Sequence, residues 1–499
     1  MVKILFIDLG TPREEYNEPI GIELLASCLK NKSNDALLSF DLKWAKIDKD
    51  YYKELNKQYN VIGISVNLGT LRELNFIYTM LKKYKNKMIV LGGTVPTFAY
   101  KELLKKFPDV ICVIGEGEFS FTEICRNFEK IHQNFSYLKK IPNLAFNLDG
   151  QMVETDRYVE DLNNSTHPLR AFIKKIKELG GIARVEASRG CPWSKCSFCC
   201  VNKKYNFSKW RPFPIEYVIK ELIILSEYGI LSPYFTDEDF FAGDYQRSLS
   251  LANQIIDLKN KELIHPNMNF FISARINDII RKESALLLST WKKAGLREIF
   301  IGLESGVKNQ LERYQKAASP DRNAKAINIL KNYGFQLDLG YIFFDPEMSY
   351  QDLIENINYM KSLNISSHDS RSIKQLRLQP YTDISNKYKD NFITGELDVD
   401  NLRFPVKYKE QRIADIIFNF EEWEKKTLPL TYKVQGRSRG EVPSEEYRLK
   451  LKKYLGKSRE IDLCALEIIA ISTNINNAKH KLEDLSEKKI NILQKALQI

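Results

Sequence analysis

Short β-branched runs alternate with helix-length amphipathic segments twice along this chain, and that alternation limits the possible folds more than any other feature. In the first series, VKILFID (2–8), VIGISV (61–66), MIVLGG (88–93) and VICVIGEGE (110–118) precede helical patterns at 19–30, 71–84, 98–107 and 119–130. Buried strands joined by helices of this length make right-handed βαβ units, so a doubly wound, Rossmann-like parallel sheet is expected. Ligands of such sheets bind beyond the carboxyl ends of the strands. In the second series ARVEAS (183–188), PYFTD (233–237), NFFISA (269–274), EIFIGL (298–303), LDLGYIFF (337–344) and KQLRLQ (374–379) read as strands. Helical patterns separate them near 214–228, 247–259, 281–294, 321–333 and 350–363. A parallel barrel, partial or full, follows, with its chemistry again at the carboxyl ends.

Residues 140–180 read as a connector holding a small hairpin that turns at Asp149-Gly150. After about residue 400 the strand signal stops, and 402–426, 444–455 and 462–496 read as helices, with the basic stretch Gly436 to Gly440 as a solvated connection. A length of 499 residues with 43% apolar content accommodates such bodies. No run approaches the roughly 18 apolar residues of a membrane span, and MVKILFIDLG reads as a first strand and not as a signal peptide. More than half of the +11 net charge lies after residue 400; a general lysine excess accounts for it without an anionic partner.

Eight cysteines are too sparse for a disulfide framework, so a reducing, cytoplasmic setting is expected. Cys28, Cys112, Cys125 and Cys464 are scattered, whereas Cys191, Cys196, Cys199 and Cys200 fall within ten residues. Thiolates on one short loop bind zinc or an iron–sulfur cluster. A zinc site asks for a second ligand pair, and His132, His167, His265, His368 and His480 are isolated. Cys200, adjacent to Cys199, is sterically awkward as a fourth ligand. A three-cysteine set points to a four-iron cluster with one iron open for a ligand, which implies chemistry.

The strand ends of the first series carry Asn67-Leu68-Gly69-Thr70, Gly92-Gly93-Thr94 and Gly115-Glu116-Gly117-Glu118. Glycine there admits a bulky ligand close to the backbone, and helix-start N–H groups suit polar groups on it. The Gly-x-Gly-x-x-Gly pattern is absent after the first strand, which argues against a nicotinamide cofactor.

The stretch Ser188-Arg189-Gly190-Cys191-Pro192-Trp193-Ser194-Lys195-Cys196-Ser197-Phe198-Cys199 resembles the cluster loop of radical S-adenosylmethionine enzymes, with four residues between the first two cysteines where the family usually has three. The resemblance implies a 4Fe-4S cluster on Cys191, Cys196 and Cys199, with Cys200 as a spare and Phe198 packing on the adenine of S-adenosylmethionine. Tyr234 to Phe240, Ser273-Ala274-Arg275, Gly302 to Gly306, Gly340 to Pro346 and Pro380-Tyr381-Thr382 stand where the family has its later strand ends. By that resemblance Asp237, Glu238, Ser273, Arg275 and Glu304 contact the carboxylate, amino group and ribose of S-adenosylmethionine.

The amino-terminal half resembles the cobalamin-binding domain that a branch of this family carries ahead of its barrel. Asn67, Leu68, Gly92, Gly93, Thr94, Gly115, Glu116, Gly117 and Glu118 are then the expected cobalamin contacts. The chain lacks Asp-x-His-x-x-Gly and has no histidine before His132, so this domain offers the cobalt no histidine ligand. The implied division is a cobalamin-binding domain (1–140), a connector (141–180), a radical barrel (181–390) and a helical carboxyl-terminal domain (391–499).

The family's chemistry implies that S-adenosylmethionine at the open iron yields a 5′-deoxyadenosyl radical, that the radical takes hydrogen from an unactivated carbon, and that methylcobalamin methylates that carbon. The expected function is a C-methyltransferase acting on a peptide or a secondary-metabolite precursor, with an electron donor such as flavodoxin or ferredoxin. No protein side chain is assigned as catalytic. One alternative keeps both cofactors and performs cyclisation or rearrangement. A second is a non-catalytic iron–sulfur or corrinoid-binding protein. Trp193, Tyr205, Phe207 and Trp210 interleave with Lys195, Lys203, Lys204, Lys209 and Arg211; packing on the barrel mouth explains them without a nucleic-acid or membrane partner.

Overall fold

The computed structural model describes residues 2–11, 15–32, 38–84, 86–207, 209–368, 373–472 and 475–499. Its first sheet is built from β1 (Val2–Asp8), β2 (Leu38–Trp44), β3 (Val61–Ser65), β4 (Met88–Gly92), β5 (Val110–Val113), β6 (Leu144–Leu148) and β7 (Gln151–Glu154), in the order β2-β1-β3-β4-β5-β6-β7. The first five strands run parallel, and β6 and β7 add antiparallel. The central strands are continuous apolar runs because both faces are covered. Leu74, Ile77 and Leu103 cover one face and Ile22, Phe121 and Ile124 the other. Strand order reverses between β1 and β3, and the crevice at such a switch point is where doubly wound sheets bind ligands.

Two expectations change here. Strand β2 lies at the sheet edge, half exposed, with Asp41 and Lys43 breaking its apolar run, so the sequence carries no buried-strand signal for it. The hairpin expected in a connector is part of the first sheet, since Ile111 of β5 pairs with Phe146 of β6.

The second sheet joins β8 (Arg184–Val185), β11 (Tyr234–Phe235), β12 (Phe270–Ala274), β13 (Leu296–Glu304) and β14 (Gln336–Tyr341) in parallel, in the order β14-β13-β12-β11-β8. The expected sixth strand is reduced to a bridge between Phe344 and Gln375, with the Leu376 N–H donating to the Phe344 carbonyl at 2.7 Å. The barrel is therefore open. Between β8 and β11, the two-residue strands β9 (Ser188–Arg189) and β10 (Arg211–Pro212) pair antiparallel and pinch off the loop that bears the cysteines.

The expected helical domain begins later than residue 391. Residues 393–406 double back through the bridges Ile393 to Val406 and Asp398 to Arg403. This segment reaches the first sheet, where Asp400 accepts the N–H of Gly69 on its carbonyl (2.8 Å) and that of Leu71 on its carboxylate (2.9 Å). Helices follow at Gln411–Glu424, Leu428–Arg439, Glu445–Ile471 and Lys479–Gln498. The stretch expected as a solvated loop at Gly436 lies inside the second of these helices, and the expected 462–496 helix is split after Ile471. The helices seal the amino-terminal ends of the barrel strands. Arg439 pairs with Asp338 (3.1 Å) and Glu15 (3.3 Å), Lys452 pairs with Glu298, and Glu441 accepts the N–H groups of Leu231 and Ser232.

Candidate active site

A cavity of about 230 Å³ opens at the β1/β3 switch point, between the strand ends and the helices Ile20–Lys32 and Glu118–Arg126. Its walls are apolar, including Phe6, Leu25, Val90, Val113 and Phe121. Glycine shapes it in two ways. At Gly21 and Gly92 an added Cβ meets nothing within 4 Å and would stand in the open space. At Gly63 an added Cβ would approach the Phe121 ring to 2.8 Å, so the bare backbone lets that ring close against β3. Gly115 adopts φ +83° and backs onto the Lys204 carbonyl, which an added Cβ would meet at 2.7 Å.

Of the expected cobalamin contacts, Gly92, Gly93, Gly115, Glu116, Gly117 and Glu118 line this slot, whereas Asn67, Leu68 and Thr94 do not. Asn67 donates to Ser65 (3.4 Å), Leu68 packs into the core beside β3, and Thr94 opens the helix Thr94–Lys106. The outer wall comes from the second half of the chain: Glu186, Arg189, Lys204 and Tyr205. The Arg189 guanidinium holds Glu116 and Glu118 at 2.8 Å each and Glu186 at 2.9 Å, and Arg211 holds Glu116 at 2.9 Å. Burial alone would raise the Glu116 carboxyl, yet the two guanidiniums keep it below its usual range. Its charge is thus committed to joining the two halves.

The cysteine loop is fixed at several points. Ser197 donates its N–H to the Tyr314 carbonyl (3.0 Å) and its hydroxyl to the Arg313 carbonyl (2.7 Å), while the Trp193 indole donates to the Gln315 carbonyl (2.9 Å). Between Cys191 and Cys196, Ser194 takes the left-handed φ +48° and donates its hydroxyl to the Cys191 carbonyl. Burial pushes all four thiols up, Cys196 and Cys199 to about 12 and Cys200 to about 11. Bound iron would supply the positive charge that holds Cys191, Cys196 and Cys199 as thiolates. Cys200 Sγ donates to Gln379 Oε1 (3.3 Å), as befits a spare thiol. Among the described residues no three His, Cys, Asp or Glu side chains converge as ligands of one metal ion; a cuboidal cluster instead asks each thiolate to reach a separate iron.

Around the loop stand the residues expected to hold S-adenosylmethionine. Phe198 packs edge-on against Tyr314, with ring centroids 5.4 Å apart. Asp237 accepts the Ala187 N–H (3.0 Å) and the Ser188 hydroxyl, and burial raises its carboxyl to about 7. Glu238 accepts the Gly190 N–H (3.1 Å) and the Tyr205 hydroxyl (3.0 Å). The Ser273 carbonyl takes the Phe240 N–H (2.9 Å), and Arg275 lies over the Trp193 ring at 5.2 Å. Glu304 sits at φ +64° and pairs with Lys316 at 2.8 Å.

Sequence reasoning missed Asp239 and Lys316. Asp239 is fully buried, its carboxylate oxygens make no hydrogen bond of ordinary geometry, and Arg275 is 3.9 Å away. Burial, then the neighbouring Asp278, drives its carboxyl well above the usual range. Lys316 lies close enough to Cys196 and Cys199 for its charge to oppose the rise in both thiols. Asp239 was legible as the third acid of Thr236-Asp237-Glu238-Asp239; nothing near Lys316 in the sequence marks it.

A profile of the B12-binding domain matches residues 8–124, and one of the radical SAM superfamily matches residues 185–360. The chain therefore carries a B12-binding domain followed by a radical SAM domain. A radical SAM domain implies a 4Fe-4S cluster and S-adenosylmethionine, and a B12-binding domain implies cobalamin. The 4'-phospho-dehydrooxetanocin synthase of Priestia megaterium is 27% identical over 336 residues, 62% of this chain and 43% of the synthase. The hopanoid C-3 methylase of Methylococcus capsulatus is 26% identical over 345 residues, 66% of this chain and 61% of the methylase. The chain thus matches less than two thirds of either relative's length. A solved structure of the cobalamin-dependent S-adenosylmethionine radical enzyme OxsB, with aqua-cobalamin and S-adenosylmethionine bound, superposes with a TM-score of 0.78 at 19% identity. That match covers 100% of this chain and 80% of the other, and it establishes the shared fold.

The residues present fit these groups. The glycine-floored slot has room for a planar aromatic group, as part of a corrinoid would require. The buried Asp239 beside Arg275 offers a carboxyl and a guanidinium to the amino and carboxylate groups of a methionine moiety. Among the described residues, no helix is long and apolar enough to cross a membrane.

Proposed function

We propose that the chain is a B12-dependent radical C-methyltransferase acting on an unactivated carbon of a peptide or secondary-metabolite precursor. The observation that carries this reading is the shared wall. Arg189, Lys204 and Tyr205 flank the cysteine loop and also line the glycine-floored slot, so two cofactors held there would meet one substrate. The cluster with S-adenosylmethionine supplies a carbon-centred radical, and cobalamin supplies a methyl group.

The chain's own residues bind and orient. In this reading Cys191, Cys196 and Cys199 hold the cluster, and Phe198 packs on the adenine. Asp239 and Arg275 take the ammonium and carboxylate of S-adenosylmethionine, and Glu304 with Lys316 closes the ribose side. Gly21 and Gly92 admit the corrinoid tail. A low-potential flavodoxin or ferredoxin is the proposed electron source, and the cytoplasm the proposed setting.

The test is anaerobic reconstitution followed by S-adenosylmethionine bearing a deuterated methyl group, with candidate peptides or precursors. Methyl transfer predicts labelled product. Formation of 5′-deoxyadenosine with an unlabelled, rearranged product would favour cyclisation or rearrangement. Intact S-adenosylmethionine under reducing conditions would leave only a binding protein.

A further inference from the structure

Three consecutive acids follow β11, and each faces a different partner. Asp237 turns to Ala187 and Ser188, and Asp239 turns to Arg275. Glu238, between them, uses one oxygen for the N–H of Gly190, the residue before Cys191, and the other for the Tyr205 hydroxyl at 3.0 Å and the Lys204 ammonium at 3.4 Å. Tyr205 and Lys204 are walls of the slot. A single carboxylate therefore touches the cysteine loop on one side and the corrinoid slot on the other.

Both attachments are stiff. Gly190 takes φ +90° with the Lys209 carbonyl 2.6 Å from where a Cβ would stand, so the backbone before Cys191 has little room to adjust on its own. Tyr205 is 3% exposed and lies under the Arg211 guanidinium, 5.5 Å from its ring centre. The Lys204 carbonyl is wedged against Gly115 at the slot's rim. Glu238 is thus the link through which a displacement of Tyr205 or Lys204 would reach Gly190 and the first cysteine.

We infer that Glu238 is a positioning residue that couples occupancy of the corrinoid slot to the seating of the cluster loop. The inference rests on the two-cofactor reading above and assigns Glu238 a task separate from contact with S-adenosylmethionine. Coupling of this kind is reciprocal: if a seated cluster tightens cobalamin binding, bound cobalamin must stabilise the seated loop by the same factor.

The experiment measures the cobalamin dissociation constant anaerobically, with and without the reconstituted cluster, in the wild-type chain, in Glu238→Gln and in Tyr205→Phe. The last removes one hydroxyl and carries the test should the first fold poorly. The wild-type chain is expected to bind cobalamin about five-fold or more tightly when the cluster is present, and the reduced cluster's EPR spectrum should change on adding cobalamin. In the variants the affinity ratio falls towards one, and the spectral change is lost. Variants that keep the wild-type ratio, or a wild-type ratio of one, overturn the inference while leaving two-cofactor binding intact. A wild-type chain that binds no cobalamin at all overturns the two-cofactor reading and the strut with it.

Discussion

At the amino-terminal ends of the barrel strands, charged groups find protein partners: Glu298 has Lys452, Asp338 has Arg439, and Arg297 has Glu445 at 2.5 Å. The carboxyl ends differ. Asp239 is buried without an ordinary hydrogen bond, Glu304 is held at a left-handed φ of +64°, and four thiols are pushed up by burial. Orphaned polar atoms occur at the base too, on Arg297 and Gln336; what sets the mouth apart is that a buried carboxylate, buried thiols and a left-handed Glu304 stand around one loop, as a site completed by something other than protein requires. The helical carboxyl-terminal region serves the satisfied end, where it seals the base of an open barrel.

Variants at the two ends should therefore fail differently. The largest effect is expected at the mouth. Alanine at Cys191, Cys196 or Cys199 should bring iron and sulfide of the reconstituted protein to background with little change in the urea midpoint, whereas Cys200→Ala should retain both. At the base, Lys452→Ala strands the buried Glu298 carboxylate. It should cost about 3 kcal/mol in urea unfolding while iron per folded chain is unchanged.

A smaller and more selective effect is expected in the slot. Gly92→Leu places a side chain where an added Cβ meets no protein atom within 4 Å, so it should weaken cobalamin binding at least about ten-fold, or 1.4 kcal/mol, with iron content retained. The smallest concerns pH. The Asp237 carboxyl is raised to about 7, so its neutral form is favoured in the folded chain. That contribution is present in full below the unfolded carboxyl's pKa and fades as pH climbs toward 7. Wild-type stability should fall relative to Asp237→Asn by on the order of 1 kcal/mol per pH unit between pH 5 and 7. A parallel pH profile for the two proteins would contradict this.

Much of the fold and of the site is legible in the amino-acid sequence. Runs such as VIGIS and MIVLG are buried on both faces of the first sheet, so periodicity and burial agree there. The glycine pairs and the cysteine loop stand at strand ends, where local sequence dictates turns. The illegible parts depend on distant partners. Half-exposed β2 is a strand because Val2 to Asp8 lie beside it, and the hairpin joins the sheet only through β5. The helix Leu428–Arg439 runs through Gly436 because Arg439 is drawn to Asp338 and Glu15, far away in sequence. Glu116 and Glu118 line the slot, but their charges belong to Arg189, a pairing no local pattern reveals.

The decisive measurement is S-adenosylmethionine turnover by the chain reconstituted with iron, sulfide and cobalamin under anaerobic, reducing conditions. The expected result is cobalamin bound at one per chain together with release of 5′-deoxyadenosine that disappears when Cys196 is replaced by alanine. A chain that binds both cofactors yet leaves S-adenosylmethionine intact, or that takes up iron and never cobalamin, would contradict it.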